Sequence, residues 1–122
     1  AGNHLWSKRF GATNSDYGRS VAVDSAGNVL LTGEFRGTAD FGGGGLTSAG
    51  STDIFVAKYD AAGNHLWSKR FGGASYDWGY SVAVDSAGNV LLTGGFNGTV
   101  DFGGGGLTSA GGYDIFVAKF SP

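Results

Sequence analysis

The chain repeats itself over its whole length. Residues 1–61 align without a gap with residues 62–122, and 47 of the 61 paired positions are identical. A repeat of this length is a supersecondary unit that buries its apolar surface by stacking on neighbouring units. We therefore expect two tandem units, 1–61 and 62–122, packed side by side. Identity this high indicates a recent duplication or deliberate design.

The local patterns within a unit are those of β-strands. Four segments are rich in β-branched and aromatic residues, and no segment has a helical period. We name them strand A ("SVAVD", 20–24), strand B ("NVLLTGEF", 28–35), strand C ("DIFVAKY", 53–59) and strand D ("HLWSKRF", 65–71). The sequence predicts an all-β fold in which four such strands form an antiparallel meander.

Tight turns separate these strands. "DSAGN" (24–28) joins strand A to strand B, and "DAAGN" (60–64) joins strand C to strand D. Glycine tolerates positive φ, and Asp and Asn side chains cap such turns. The chain has 25 Gly and 14% aromatic residues; disordered chains are poor in aromatics, so the glycines indicate turns. The run "GGGG" (42–45) is interpreted as a hairpin tip.

Strand C carries apolar residues on both faces, because Ile54, Phe55, Val56 and Ala57 are consecutive. A sheet that is apolar on both faces must lie between other sheets. A β-propeller, in which sheets called blades are arranged radially around an axis, meets this demand. A solenoid is the alternative architecture, although its repeats are usually shorter.

Two long segments carry a family resemblance. "DYGRSVAVDSAGNVLLTGEFRGTADF" (16–41) and "SAGSTDIFVAKYDAAGNHLWSKRFG" (48–72) resemble the bacterial SBBP, or seven-bladed β-propeller, repeat. The resemblance covers the chain twice. It implies propeller blades, often on bacterial secreted or cell-envelope proteins, and it implies neither enzyme activity nor catalytic residues. The chain departs from the family in blade number, because two units are too few for a closed ring.

The strand order D-A-B-C-D-A-B-C leaves an incomplete blade at each end. The first strand D (4–10) has no strands A to C before it, and the last strands A to C (81–120) have no strand D after them. We expect the N-terminal strand of one chain to complete the C-terminal blade of another. The expected interface residues are His4, Leu5, Trp6, Ser7, Lys8, Arg9, Phe10, Ile115, Phe116, Val117, Ala118 and Lys119.

The expected partner is therefore a further copy of the same chain. Rings hold about 4–8 blades, and a fold related to seven-bladed propellers is strained least near seven. Two blades per chain then predict a homotrimer with six blades or a homotetramer with eight. A monomer with frayed ends, or an open aggregate, is the alternative.

Catalytic and metal-binding patterns are incomplete. There is no Cys, and His4 and His65 occupy the same repeat position, one per unit. Asp24, Asp60 and Asp85 resemble the start of a calcium loop, but its remaining ligands are missing, so turn capping is preferred. The "GGGG" run lacks the Lys-Ser/Thr pair of a phosphate loop. We expect no enzyme, no cofactor and no metal; a hydrolase-like site near Asp24 is the least favoured alternative.

Charge and hydropathy exclude two further classes of partner. The net charge is −2, and the eight Lys and Arg are scattered, whereas nucleic-acid binding needs a clustered basic face. No apolar run approaches the roughly 20 residues of a membrane span. The chain begins without Met or a signal peptide, which suggests a processed or excised segment.

Differences between the units concentrate at one end of the blades. Of the 14 differing positions, 11 lie at or beside the D–A and B–C connections, which share one end of a meander. We call it the loop end. Aromatic, amide and charged side chains there suit a glycan or a peptide, although loops also diverge more freely than strands. The candidate ligand-binding residues are Tyr17, Arg19, Arg36, Tyr76, Trp78, Tyr80, Asn97 and Tyr113.

Two functions from different classes follow from these patterns. The first is a non-enzymatic scaffold that assembles itself into a propeller ring. The alternative is a glycan- or peptide-binding propeller module that uses the loop end.

Overall fold

A computed structural model describes all of residues 1–122. The chain contains eleven β-strands and no helix. In chain order the strands are β1 (Tyr17–Val23), β2 (Val29–Phe35), β3 (Thr38–Asp40), β4 (Gly45–Thr47), β5 (Asp53–Tyr59), β6 (His65–Phe71), β7 (Trp78–Val84), β8 (Val90–Phe96), β9 (Thr99–Asp101), β10 (Gly106–Thr108) and β11 (Asp114–Phe120). The all-β prediction is confirmed.

The long strands form two antiparallel sheets of unequal size. The first sheet, blade 1, has the order β1-β2-β5-β6, which is the predicted meander of strands A to D. The second sheet, blade 2, contains only β7, β8 and β11, in the order β11-β8-β7. Residues 1–16 contribute no strand. Blade 2 therefore lacks an outer strand, and the N-terminal copy of strand D has no strand partner.

The glycine-rich link forms the hairpin expected from its GGGG run, with two short strands that the sequence did not predict. Strands β3 and β4 pair with each other, as do β9 and β10 in the second unit. The run 42–45 is the hairpin tip, where the Asp40 carboxylate accepts hydrogen bonds from the backbone N–H groups of Gly42 (2.7 Å) and Gly44 (3.1 Å). Three-residue strands are too short to show a period of two, so the pairing left no clear signal.

The "DSAGN" and "DAAGN" turns are capped as predicted. The Asp24 Oδ1 atom accepts hydrogen bonds from the backbone N–H groups of Ala26 (3.0 Å) and Asn28 (2.9 Å). The Asn28 side chain donates to Oδ2 of the same carboxylate at 2.9 Å. Gly27 has a φ of 82°, a conformation that glycine adopts without steric cost. Asp60 and Asp85 make the same set of bonds in their own turns.

The two blades share one apolar core. Ile54 and Val56 of blade 1 lie in a cluster with Val82, Leu92 and other apolar residues of blade 2. A second cluster lies on the opposite face of blade 1, around the Phe35, Phe41 and Phe55 rings. All seven residues of β5 are buried, which confirms that strand C is covered on both faces. Radial stacking of blades accounts for this burial.

Candidate functional site

Residues 4–10 form no strand, yet they lie against blade 1. The Trp6 indole N–H donates a hydrogen bond to the Ala61 carbonyl oxygen at 3.1 Å. The repeat-equivalent bond runs from the Trp67 indole in β6 to the Pro122 carbonyl oxygen at 2.8 Å. The N-terminal segment thus contacts blade 1 in the way that β6 contacts blade 2.

The phenylalanine at the end of each segment repeats this relationship. Phe10 stacks on the Tyr59 ring of blade 1, with the ring centroids 5.3 Å apart. Phe71 at the end of β6 stacks on the Phe120 ring of blade 2 at 5.2 Å. Since β6 is the outer strand of the blade that precedes blade 2, residues 4–10 occupy the position of an outer strand from a blade preceding blade 1.

The open edge of blade 2 shows the complementary gap. In blade 1 the His65 ring of β6 lies over the hairpin tip, so that a Cβ atom at Gly42 would be 2.7 Å from the His65 Cβ. At Gly103 and Gly104, the equivalent tip of blade 2, nothing lies within 4 Å. A cleft of about 690 Å³ opens there, beside Lys119 and Phe102. The glycine run of blade 1 packs against a histidine ring, whereas the glycine run of blade 2 is uncovered.

Identical residues in the two units differ sharply in exposure. Ile54 and Val56 are fully buried between the blades, whereas their equivalents Ile115 and Val117 are 85% and 74% exposed. On the other side, Val21 of blade 1 is 63% exposed, and its equivalent Val82 is 5% exposed. Each end of the chain thus presents an apolar face that, in the other unit, is covered by a neighbouring blade.

An ion pair to a buried carboxylate in blade 1 has no counterpart in blade 2. Arg70 of β6 donates to the carboxylate of Asp53, whose side chain is fully buried in β5. The equivalent residues are Arg9 and Asp114, and Asp114 accepts only the backbone N–H of Ala110, at 2.9 Å. The cation that would match Asp114 lies in the N-terminal segment, at the other end of the chain.

The structure places most of the predicted interface residues at these two surfaces. His4, Leu5, Ser7, Lys8 and Arg9 are exposed, and Trp6 and Phe10 are partly buried against blade 1. Ile115, Val117 and Lys119 are exposed on β11, Ala118 is partly buried, and Phe116 is buried in the core that the two blades share. Phe116 therefore points away from the bare face, because alternate residues of a strand face opposite sides.

At the loop end, a β-bulge in β1 lies at Arg19, whose side chain bonds to Glu34. The register of β1 against β2 shifts between Gly18 and Ser20, so that Arg19 is the extra residue. Bulges of this kind change the direction of a side chain. The Arg19 guanidinium donates to both carboxylate oxygens of Glu34 and lies over the Tyr17 ring, 4.8 Å from its centroid. Glu34 is 1% exposed.

The second unit completes this cluster. The Tyr76 hydroxyl donates a hydrogen bond to Glu34 Oε1 at 3.0 Å, across the junction between the blades. The pKa of Tyr76 is raised, mainly by burial and to a lesser extent by the hydrogen bond to Glu34. The Glu34 carboxylate also raises the pKa of Arg19. Arg19, Glu34, Tyr76, Trp78 and Tyr80 line a cleft of about 280 Å³.

Trp78 links this cleft to a second aromatic group. Its ring lies 5.7 Å from the Tyr76 ring and 4.9 Å from the Tyr113 ring, centroid to centroid. The indole packs on Gly95, where no Cβ atom would fit. Gly95 and Tyr80 are the repeat equivalents of Glu34 and Arg19. The second unit therefore has aromatic packing where the first has the ion pair, and the charged cluster occurs once per chain.

Six of the eight candidate ligand-binding residues thus lie in one connected group, and two do not. Arg36 and Asn97 make hydrogen bonds through their backbone N–H groups, to Asp16 and Asp77 respectively, each at 3.1 Å. Glu34, at the centre of the group, was not among the candidates. Its signal was present, because position 34 differs between the units and lies close to Arg36 in the sequence.

Two further features are absent from the structure, a metal-binding cluster and a helix long enough to span a membrane. His, Asp and Glu side chains do not gather in groups of three or more that could hold a metal ion. The chain has no helix that could cross a membrane.

Two stacked antiparallel blades with bare outer faces define a repeat module of the β-propeller class. The SBBP family of beta-propeller repeats matches residues 5–34 and 66–101, more than half of the chain. The chain belongs to this family, as the resemblance implied.

Two curated proteins are similar to the chain. A regulatory protein, FlaEY of Caulobacter vibrioides, is 34% identical over 125 aligned residues, covering 99% of this chain and 13% of that protein. An uncharacterized WD repeat-containing protein of Acanthamoeba polyphaga mimivirus is 32% identical over 110 residues, covering 75% of this chain and 8% of that protein. The chain thus spans only a small part of the relatives it matches.

Proposed function

We propose that the chain is a non-enzymatic scaffold module that assembles into a propeller ring by strand exchange between copies. One observation carries the proposal: residues 4–10 lie on blade 1 in the place of an outer strand, while blade 2 lacks one. The N-terminal segment of one copy would pair with β11 of another, as β6 pairs with β5.

Exposed apolar surface supports the same arrangement. The faces around Ile115 and around Val21 are the repeat equivalents of the two faces that meet inside the chain. Joining them between copies would bury both faces, and each Å² of apolar area buried would stabilise the assembly by about 25 cal/mol. The interface is heterologous, so copies add head to tail until the ring closes.

Repeat equivalence specifies individual contacts at the proposed junction. Arg9 of one copy would pair with Asp114 of the next, as Arg70 pairs with Asp53. The His4 ring would pack on the uncovered Gly103 and Gly104, as the His65 ring packs on Gly42 and Gly43. Because residues 1–11 and 62–72 have identical sequences, the N-terminal segment has the side chains that these contacts need.

Native mass spectrometry tests the proposal by comparing the full chain with a chain that lacks residues 1–10. The full chain has a mass of 12.4 kDa, and we expect one dominant species of three or four copies. Deleting residues 1–10 removes the exchanged strand but leaves all eleven strands of the chain in place. The truncated chain should therefore be a folded monomer, as circular dichroism would verify. A stable full-length monomer, or an unchanged ring after deletion, would refute strand exchange.

A further inference from the structure

We infer that the Arg19–Glu34–Tyr76 cluster and its cleft form a binding site for a neutral saccharide. The cleft lies at the junction between blades 1 and 2 of one chain. The inference goes beyond the proposed scaffold function and does not depend on ring closure.

Arg19 supplies hydrogen-bond donors that the chain leaves free. Its side chain is 40% exposed, although its partner Glu34 is buried. The guanidinium uses one N–H of Nε and one of Nη2 on Glu34, whereas an arginine has five N–H donors. The remaining donors suit the hydroxyl or ring oxygens of a ligand. The Tyr76 hydroxyl donates a hydrogen bond to Glu34, and its oxygen can still accept a hydrogen bond from a ligand hydroxyl.

Charge selects a neutral ligand over an ionic one. The Glu34 carboxylate balances the Arg19 guanidinium, and the residues that line the rest of the cleft are the aromatic Tyr76, Trp78 and Tyr80. A cation would meet the exposed guanidinium, and an anion would lie close to a buried carboxylate. Because Arg19 and Glu34 neutralise each other, the five residues of the cleft carry no net charge that would attract either kind of ion.

Shape and apolar surface favour a sugar ring. A pyranose has an apolar C–H face and an edge of hydroxyl groups, and the cleft has aromatic rings beside polar atoms. Tyr80 is 65% exposed and Tyr76 36% exposed, so both rings are accessible for stacking. An aromatic side chain with a polar neighbour contacts a ligand through both kinds of surface.

The second unit does not repeat the site. Tyr80 and Gly95 stand where the first unit has Arg19 and Glu34, and the Trp78 indole covers Gly95. One site per chain follows. A ring of several chains would then present several identical sites at its loop end, an arrangement that raises avidity for repeating polysaccharides.

A glycan array of neutral and acidic oligosaccharides, with short peptides as a second probe set, tests the inference on the full chain. We expect neutral glycans to bind, and a titration of the best one, followed by tryptophan fluorescence, to saturate at one per chain. Replacing Arg19→Gln together with Glu34→Gln removes the ion pair without leaving an unpaired buried charge. This double variant should bind at least about tenfold more weakly.

The control is Arg36→Gln, an exposed arginine at the same end of the blade but outside the cluster. It should bind the glycan like the unaltered chain. Native mass and circular dichroism establish that each variant keeps its fold and its number of copies. The inference is overturned if no neutral glycan binds, if only acidic glycans or peptides bind, or if the double variant binds as tightly as the control.

Discussion

At the residue scale, the chain contains its own controls, because 47 positions carry the same residue in both units but in different surroundings. Ile54 is fully buried while Ile115 is 85% exposed, and the only change is the presence of a neighbouring blade. Asp53 is paired with Arg70, and Asp114 is not paired with Arg9. Such differences identify the residues that a second copy would cover.

Replacing Arg9 by alanine should weaken the proposed assembly. Asp114 would become buried at the junction, and it would lose a charge-assisted hydrogen bond that contributes about 1–3 kcal/mol. The measurement is the fraction of dissociated chains on dilution, by native mass spectrometry. Arg36→Ala, which changes an exposed arginine away from both surfaces, is the control. Equal dissociation of the two variants would show that Arg9 has no partner across the junction.

At the element scale, the sequence predicted the seven long strands that the chain forms and the capped turns between them. The eighth predicted strand, at residues 4–10, is not formed. Strand A begins earlier than predicted, at Tyr17 rather than residue 20, because the bulge at Arg19 interrupts the alternation. The hairpin tip at 42–45 was predicted, but strands β3 and β4 beside it were not, because three-residue strands are too short to show an alternation. The Asp-capped turns were identified correctly, since their side chains bond to backbone atoms only two and four residues away.

These turns should make the fold sensitive to acid. Hydrogen bonds, first of all from the Asn28 side chain, lower the pKa of Asp24, and Lys119 and then Asn89 lower that of Asp85. A carboxylate with a lowered pKa stabilises the fold above its unfolded pKa, near 3.8, and loses that contribution as the pH falls. Burial raises the pKa of Asp77. This single group therefore has the opposite effect on how stability changes with pH.

We therefore expect the melting temperature, measured by calorimetry, to fall as the pH drops below about 4. In the variant with Asp24→Asn and Asp85→Asn, the melting temperature at neutral pH should be lower and the decline with acid shallower. If the variant and the unaltered chain declined in parallel, the capped turns would not be the source of the acid sensitivity.

At the scale of the whole molecule, two blades are an arc with a different apolar face at each end. Rings hold about 4–8 blades, so the two ends of one chain cannot meet. Faces that match but cannot meet within a chain favour the head-to-tail association between chains that we propose. The single charged cluster at the loop end, repeated once per chain, would give such a ring an alternation of two kinds of blade junction.

Stability should consequently depend on protein concentration. If only the assembled chain has its outer faces covered, mass action raises the melting temperature as the concentration rises. Calorimetry over a hundredfold range of concentration would measure this, and the chain lacking residues 1–10 serves as the control. A melting temperature that is independent of concentration in the full chain would contradict assembly as a source of stability.

The sequence by itself determined the repeat, the long strands, the capped turns and the end of the blades at which the units diverge. These features depend on contacts between residues close in the chain, or on a periodicity that short windows display. The tertiary structure decided the rest. It placed residues 4–10 on blade 1 without a strand partner, and it joined Tyr76 to Glu34 across 42 residues. It also seated Trp78 on Gly95. Contacts of this kind depend on how blades stack, and no local pattern encodes which residue of the next unit will face a buried carboxylate.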